Sequence, residues 1–194
     1  MVESEPDKGA VSGPSSAAEA VRTALAELEL TWSEASPGLF SVTLPGTRKL
    51  QTECALQVGA HHLSVRAFVA RRPEENEAGV FGWLLEHNLK LGLVAFARDS
   101  LGDIYLTGKV PVGAVDGELV DQLLGLVAET SDSCFNTILE LGFAGSIRRE
   151  WVWRRSRGES TANLAAFTHL DPGNSEPQST SDVVSAPKDV RRGQ

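Results

Sequence analysis

The segment SIRREWVWRRSRG, residues 146–158, contains the residue types best suited to binding a partner. Five arginines surround two tryptophans in it: Arg148, Arg149, Arg154, Arg155 and Arg157 flank Trp151 and Trp153. Basic groups beside stacking aromatics are the parts of a site for RNA or single-stranded nucleic acid. The same groups also occur where a protein contacts a membrane surface or another protein. The segment is therefore a candidate interaction site.

The charge of this segment favours packing within the protein over nucleic-acid binding. Residues 16–146 carry 9 basic and 17 acidic side chains, whereas residues 148–157 carry five arginines and one glutamate. In an extended strand, Trp151 and Trp153 would share one face. We therefore predict that both indoles pack on the domain or in a dimer, with arginines paired to acidic helix residues such as Glu140. A protein client is the first alternative, and nucleic acid or a membrane is the second.

Two pairs of polar residues have the chemistry of metal ligands but not the geometry. His61 and His62 are adjacent, so they would point to opposite faces of a strand and could not share one ion. Asp99 and Asp103 flank the turn DSLGD, which offers too few oxygens for calcium and fits a capped turn. We therefore predict no metal site and no cofactor.

A pocket near His87, Asn88 and Asp103 is the alternative to a purely binding role. It would make the protein a small-ligand sensor or an enzyme, although a histidine in the last turn of a helix also complements the helix dipole. The sequence contains no phosphate-binding loop, dinucleotide fingerprint, zinc-protease motif or serine-hydrolase elbow. We therefore predict a non-enzymatic protein without catalytic residues.

The composition is that of one globular domain. The chain has 194 residues, of which 41% are hydrophobic and 23% charged, and its formal net charge is −8. Such a charge argues against a general polyanion binder, because phosphate affinity depends on Lys and Arg. No apolar run approaches the length of a membrane span, and the first residues do not resemble a signal peptide. We expect a cytoplasmic protein that does not bind membranes.

The folded domain is predicted to span residues 15–156. Residues 1–14 and 157–194 are rich in Ser, Pro, Gly and charge, which predicts two disordered tails. Hydrophobic periodicity between them predicts a helix over about 16–30, a second that begins with the acidic segment PEENEAG and ends near Lys90, and a third over about 117–143, closed by Gly142 or Gly145. Period-two alternation predicts strands in LFSVTLP, LQTECALQV, HLSVRAFVAR, LVAFARD and DIYLTGKVP. The predicted order α-β-β-β-α-β-β-α indicates an α+β domain with an antiparallel sheet.

Three aromatic residues are predicted to lie on the second face of this sheet. Phe68, Phe96 and Tyr105 alternate with residues assigned to the core, such as Ala67 and Leu106. Helices that cover one face would leave these aromatics exposed, and an exposed aromatic cluster indicates a partner. We therefore predict a partner or dimer interface at these three residues together with Trp151 and Trp153.

Two longer stretches resemble a known family. WLLEHNLKLGLVAFARDSLGDIYLTGKVPV and FNTILELGFAGSIRREWVWR are similar to the bacterial YbjN family in its actinobacterial form, and the resemblance covers about residues 16–155. It implies a fold like that of type III secretion chaperones and a homodimer that holds other proteins. It also implies a role in sensory transduction or stress regulation without enzyme activity. The expected partners are a second copy of the chain and an unidentified protein client.

Overall fold

The computed structural model describes residues 13–174, which fall into two compact units. The first unit ends at Ser146 and the second begins at Ile147. Most of the predicted tails, residues 1–12 and 175–194, lies outside the described residues. The first helix begins at Pro14.

The structure confirms an α+β chain with three long helices and adds one strand to the predicted order. The elements are α1 (Pro14–Glu27), β1 (Thr31–Ser36), β2 (Leu39–Pro45), β3 (Gln51–Val58), β4 (His62–Ala70), α2 (Glu77–Asn88), β5 (Ala95–Arg98), β6 (Ile104–Pro111) and α3 (Gly117–Arg157). The additional strand is β1. Its sequence TWSEAS has a single large apolar residue, Trp32, so no period-two pattern marks it.

The six strands form one antiparallel sheet in the order β1-β2-β3-β4-β6-β5. Residues that are register partners in an antiparallel pair lie on the same face of the sheet. One such row crosses the whole sheet and contains Trp32, Val42, Cys54, Ala67, Leu106 and Phe96. All members of the row except the half-buried Trp32 are buried. This face therefore forms the sheet side of the hydrophobic core.

The helices complete the core over the same face. Apolar residues of α1 and α3 recur at helical spacing and are fully buried, among them Val21, Leu25, Val120, Leu124 and Val127. The opposite face carries exposed or half-buried residues such as Glu53, Arg66 and Thr107. A single covered face explains the alternation of apolar and polar residues along β2, β3 and β4.

The prediction that Phe96 lies on the exposed face is wrong. Phe96 is the register partner of Leu106 and is buried, whereas Phe68 pairs with Tyr105 on the other face. The strand β5 has only four residues, so its alternation does not define which side is inward. A shift of one residue in register exchanges the two faces of a strand. The pairing of β5 with β6 therefore determines that Phe96 lies on the core face.

The last helix extends beyond its predicted end. Helix α3 runs to Arg157, with a single non-helical residue at Phe143. The predicted termination at Gly142 or Gly145 thus corresponds to a kink. The expectation that Trp151 and Trp153 lie in an extended segment is wrong, because both residues are helical. Helix formation is favoured here because residues 146–157 contain neither Gly nor Pro.

Part of the predicted C-terminal tail has regular structure. Residues Ala162–Leu170 and Pro172–Asn174 form 3₁₀ helices, and Leu164 and Phe167 are buried. These two residues are apolar side chains in a stretch that otherwise has the composition of a tail. Composition averaged over residues 157–194 therefore conceals a short segment that is able to pack.

Candidate protein-binding groove

An apolar groove opens in the first unit between the end of β4 and the second half of α3. Its volume is about 400 Å3. Its walls are formed by Lys49, Phe68, Val69, Ala70, Arg71, Glu74, Phe135, Leu139, Phe143 and Ser146. Most of the lining is aromatic or aliphatic, with charged side chains at three positions. Concave apolar sites with a few polar groups are typical of binding sites.

One wall of the groove depends on an irregularity in β4. The register with β6 shifts between Phe68 and Ala70, so two residues of β4 oppose one residue of β6. Such a bulge bends a strand and changes the direction of its side chains. Phe68 remains half-buried on the face opposite the core, where its ring meets Tyr105 edge-on with centroids 5.6 Å apart. Phe68 and the two residues at the bulge, Val69 and Ala70, therefore line the same groove.

A cationic side chain continues this aromatic surface across the sheet. The guanidinium of Arg66 lies 3.9 Å from the ring centroid of Tyr105, and it also forms an ion pair with Asp99 at 3.8 Å. A guanidinium stacked on an aromatic ring forms a cation–π contact, so the surface offers a partner both an aromatic ring and a positive charge. Phe68 and Tyr105, both predicted as interface residues, therefore do form one surface.

The helical wall comes from residues one turn apart on α3. Phe135, Leu139 and Phe143 follow each other at spacings of four, which places them in one row. The buried residues Cys134 and Ile138 form the neighbouring row, which faces the core. Hydrophobic periodicity alone places both rows in one apolar stripe. The width of that stripe could have indicated a second, groove-facing row, because a helix that only faces the core does not need an adjacent row of large apolar residues.

The loop between β4 and α2 is fixed against the kink of α3. The backbone N–H groups of Glu74 and Glu75 both donate to the carbonyl of Gly142, at 2.9 and 3.1 Å. This carbonyl lies directly before the non-helical residue Phe143. Gly142 also leaves room for Pro73, because a Cβ atom there would lie 2.9 Å from the Cβ of Pro73. The position of the groove rim therefore depends on a glycine.

The hairpin loop between β2 and β3 contributes Lys49, and a residue of α3 holds this loop. Asp132 accepts hydrogen bonds from the backbone N–H groups of Thr47, Arg48 and Lys49 at 2.8, 2.7 and 2.9 Å. Burial raises the pKa of Asp132, but these donors outweigh it and leave the pKa below its ordinary value. Gly46 is required beside it, since a Cβ atom would lie 2.7 Å from the Asp132 carboxylate.

The ammonium of Lys49 lies at the wall of the groove. Its Nζ donates to the backbone carbonyl of Phe68 and to Thr52 Oγ1, the latter at 3.2 Å. It is also 5.6 Å from the ring centroid of Phe68. Burial lowers the pKa of this half-buried lysine. No sequence pattern indicated the position of Lys49, because the loop and the end of β4 meet only in the folded chain.

The residues of the predicted small-ligand pocket have separate structural roles. His87 stacks on Trp83 and lies 3.4 Å from the thiol of Cys134. Asn88 binds the backbone of Phe96, while Asp103 accepts a hydrogen bond from the backbone of Arg72. The structure therefore does not bring these three predicted site residues into one polar cavity, and the prediction of a shared pocket is wrong.

Thiols and histidines of the described residues form no cluster suited to a metal ion. Among residues 13–174, no three His, Cys, Asp or Glu side chains lie close enough to hold one. Cys54 and Cys134 are free and buried, and burial raises the pKa of Cys54 to about 12. Both thiols thus have the surroundings of packing residues.

The second unit separates the two predicted tryptophans. Trp151 is buried and its indole N–H donates to the carbonyl of Phe167 at 3.2 Å, whereas Trp153 is 43% exposed. Arg154 pairs with Glu150, and Arg155 pairs with the buried carboxylate of Asp171. Trp151 therefore packs within the second unit, whereas Trp153 does not and stays a predicted interface residue.

None of the helices in the described part of the chain combines the length and apolar composition needed to cross a bilayer. The architecture is that of an α+β protein in which three helices share a core with one face of an antiparallel sheet. An apolar groove and the half-buried aromatic pair of Phe68 and Tyr105 are its distinctive surface features.

Comparison with known proteins identifies the family. Residues 17–140 match the YbjN family model, which is described as "Putative bacterial sensory transduction regulator". Over 157 residues the chain is 48% identical to the uncharacterized protein Rv0487 of Mycobacterium tuberculosis, which covers 78% of this chain and 86% of that protein. The chain belongs to the YbjN family, as the sequence resemblance predicted.

Two solved structures of protein complexes show some likeness to this chain, and the first is from a type III secretion system. A chain of the ExoU–SpcU complex of Pseudomonas aeruginosa has a TM-score of 0.46 and 20% identity, and the match covers 61% of this chain and 96% of that chain. A chain of the ExsC–ExsE complex has a TM-score of 0.49 and 14% identity, with coverage of 64% and 95%.

Proposed function

We propose that this protein is a non-enzymatic protein-binding module that acts in sensory transduction or stress regulation. The observation that carries the proposal is the groove lined by Phe68, Phe135, Leu139 and Phe143. Its large apolar side chains fit an apolar segment of another protein, because burying such side chains supplies most of the free energy of association. Membership of a family described in terms of sensory transduction supports the regulatory role. The predicted cytoplasmic location belongs to the same proposal.

The groove is tested with peptides, since no client is known. A phage library of random 12-residue peptides is selected on the immobilised full-length protein, and enriched peptides are measured by fluorescence anisotropy. We expect Leu139→Arg to abolish binding, because it places a charge in the apolar wall. Gln122→Arg, an exposed position on the same helix, is the matched control and should leave binding unchanged. Peptides that bind Leu139→Arg as tightly as the natural protein would contradict this function.

We further propose that the protein forms a homodimer through α2. Phe81, Leu85 and Leu89 follow each other at spacings of four, so they lie along one side of α2 and its C-cap. Leu85 and Leu89 are 68% and 89% exposed, and Phe81 and Leu85 border a second apolar groove against β5. Two copies of this stripe can bury each other, as in a two-fold symmetric interface.

Sedimentation velocity tests the dimer. We expect the natural protein to sediment as a dimer at tens of micromolar and Leu85→Glu to sediment as a monomer. Leu50→Glu is the control, because Leu50 is 81% exposed but lies outside this stripe. A natural protein that remains monomeric at these concentrations would exclude the dimer while leaving peptide binding in the groove unaffected.

A further inference from the structure

The hydrogen bonds of Lys49 leave one of its donors available in the groove. A lysine ammonium has three N–H donors and no acceptor. Two acceptors are present, the carbonyl of Phe68 and the hydroxyl of Thr52. Within the described part of the chain, Lys49 forms no ion pair with a carboxylate. A half-buried ammonium that lines a groove can therefore bind one more acceptor there.

The other charged residues of the lining do not neutralise this ammonium. The carboxylate of Glu74 accepts a hydrogen bond from the hydroxyl of Ser146, another residue of the lining. Glu53 attracts the Lys49 ammonium electrostatically, but it does not line the groove and its carboxylate accepts a hydrogen bond from Thr43. Arg71 is exposed and adds a second positive charge, so two of the three charged side chains of the lining are cationic.

We infer that the groove takes a polypeptide segment in which a large apolar side chain stands next to an Asp or Glu, whose carboxylate binds Lys49. This inference rests on the proposed protein-binding function and specifies the chemistry of the partner. The apolar side chain would lie between Phe68 and Leu139. The carboxylate would accept a hydrogen bond from the third N–H donor of Lys49. An ion pair that is partly shielded from water is stronger than an exposed one.

The rigid surroundings of Lys49 support this role. Asp132 fixes the backbone of the loop, and Thr52 Oγ1, which holds the ammonium, is itself 3.0 Å from the hydroxyl of Ser131. The ammonium is therefore positioned before a partner arrives. Binding to a pre-positioned group costs less conformational entropy than binding to a mobile lysine.

The experiment uses the peptides selected on the full-length protein. We expect them to be enriched in a large apolar residue with Asp or Glu one to three positions away. Each enriched peptide is synthesised with its acidic residue and with the corresponding amide, Asn or Gln. The acidic peptide should bind the natural protein at least tenfold more tightly than its amide counterpart, as expected for a hydrogen bond between charged groups. This comparison needs no variant protein.

Variants then locate the charge recognition. Lys49→Met should abolish the preference for the acidic peptide, and Lys49→Arg should retain part of it. Lys109→Met removes an exposed lysine from β6 and should change nothing. Thermal unfolding of each variant shows that it is folded. The preference is a ratio measured on one protein, so a moderate loss of stability in Lys49→Met does not alter its meaning.

The possible results separate the inference from the function on which it rests. Equal binding of acidic and amide peptides, or a preference that persists in Lys49→Met, would overturn the inference even if Leu139→Arg abolished all binding. Failure to select any peptide, or peptides insensitive to Leu139→Arg, would overturn the proposed function as well. Laurate is included as a competitor, and its binding without any peptide binding would overturn both, because it would assign the groove to a fatty acid.

Discussion

The side-chain amide of Asn88 binds both backbone groups of Phe96. It accepts a hydrogen bond from the N–H at 2.7 Å and donates one to the carbonyl at 3.2 Å. Phe96 lies in β5, which is an edge strand of the sheet. Asn88 therefore binds the backbone N–H and C=O groups of β5 that would otherwise pair with a further strand. Part of this sheet edge is thereby protected from pairing with another chain.

Replacement of Asn88 by alanine should destabilise the protein and promote association. We expect a loss of about 1–3 kcal/mol, because two partly buried backbone groups lose their partner. Thermal unfolding measures the first effect, and light scattering at increasing concentration measures the second. Gln57→Ala, at an exposed position of β3, is the control. Unchanged stability in Asn88→Ala would show that water replaces the amide at no cost.

Gly142→Ala and Gly125→Ala should change stability in opposite directions. At Gly142 a Cβ atom would lie 2.9 Å from Pro73 and 3.2 Å from Val80, so we expect a loss of about 1–3 kcal/mol. Gly125 is exposed on the same helix with nothing within 4 Å of the added atom. There alanine should gain about 0.5–1 kcal/mol from helix propensity. Denaturant unfolding of both variants provides the comparison, and a stabilised Gly142→Ala would contradict close packing at the kink.

Asp132→Asn should reduce stability at neutral pH and reduce it less in acid. The folded state lowers the pKa of Asp132, so its contribution to stability is present above the unfolded pKa, near 4. That contribution disappears as the pH falls through the folded pKa. We expect a difference of about 1–2 kcal/mol at pH 7, since the amide accepts the three backbone donors more weakly. Unfolding at pH 7 and pH 3 gives the measurement.

The exposed Asp121 supplies the control for this pH dependence. It lies on the same helix as Asp132, and Asp121→Asn should show no comparable loss at pH 7. A stability difference for Asp132→Asn that stayed constant from pH 7 to pH 3 would show that the carboxylate charge is not responsible.

Trp151→Ala should release the 3₁₀ segment of the second unit, whereas Trp153→Ala should not. The indole of Trp151 is buried and donates to Phe167, which is itself buried in that segment. Its loss removes apolar contacts and a hydrogen bond, so limited proteolysis should cut residues 162–170 faster. Trp153 is 43% exposed and its replacement should leave the cleavage rate unchanged. Equal rates in both variants would contradict the distinct roles of the two indoles.

Local sequence patterns were sufficient to predict most of the helices and strands and the family of the protein. Period-two and helical spacing predicted three helices and five of the six strands, because burial of one face imposes the same alternation on any half-covered strand or helix. The same reasoning predicted that Phe68 and Tyr105 share the uncovered face, and register pairing confirms it. Resemblance in two stretches predicted the family, which the match over residues 17–140 confirms.

The tertiary structure alone decided which residues meet. The pairing of β5 with β6 places Phe96 on the core face of the sheet. Because α3 continues as a helix beyond Phe143, Trp151 and Trp153 point to different sides of it, and only Trp151 is buried. The groove is lined by the bulged end of β4, by α3 up to its kink and by Lys49, whose loop is held by Asp132, 83 residues away along the chain. Local periodicity reports only which way a side chain points within its own element. Contacts between distant segments depend on register and packing of the whole chain, which no short pattern contains.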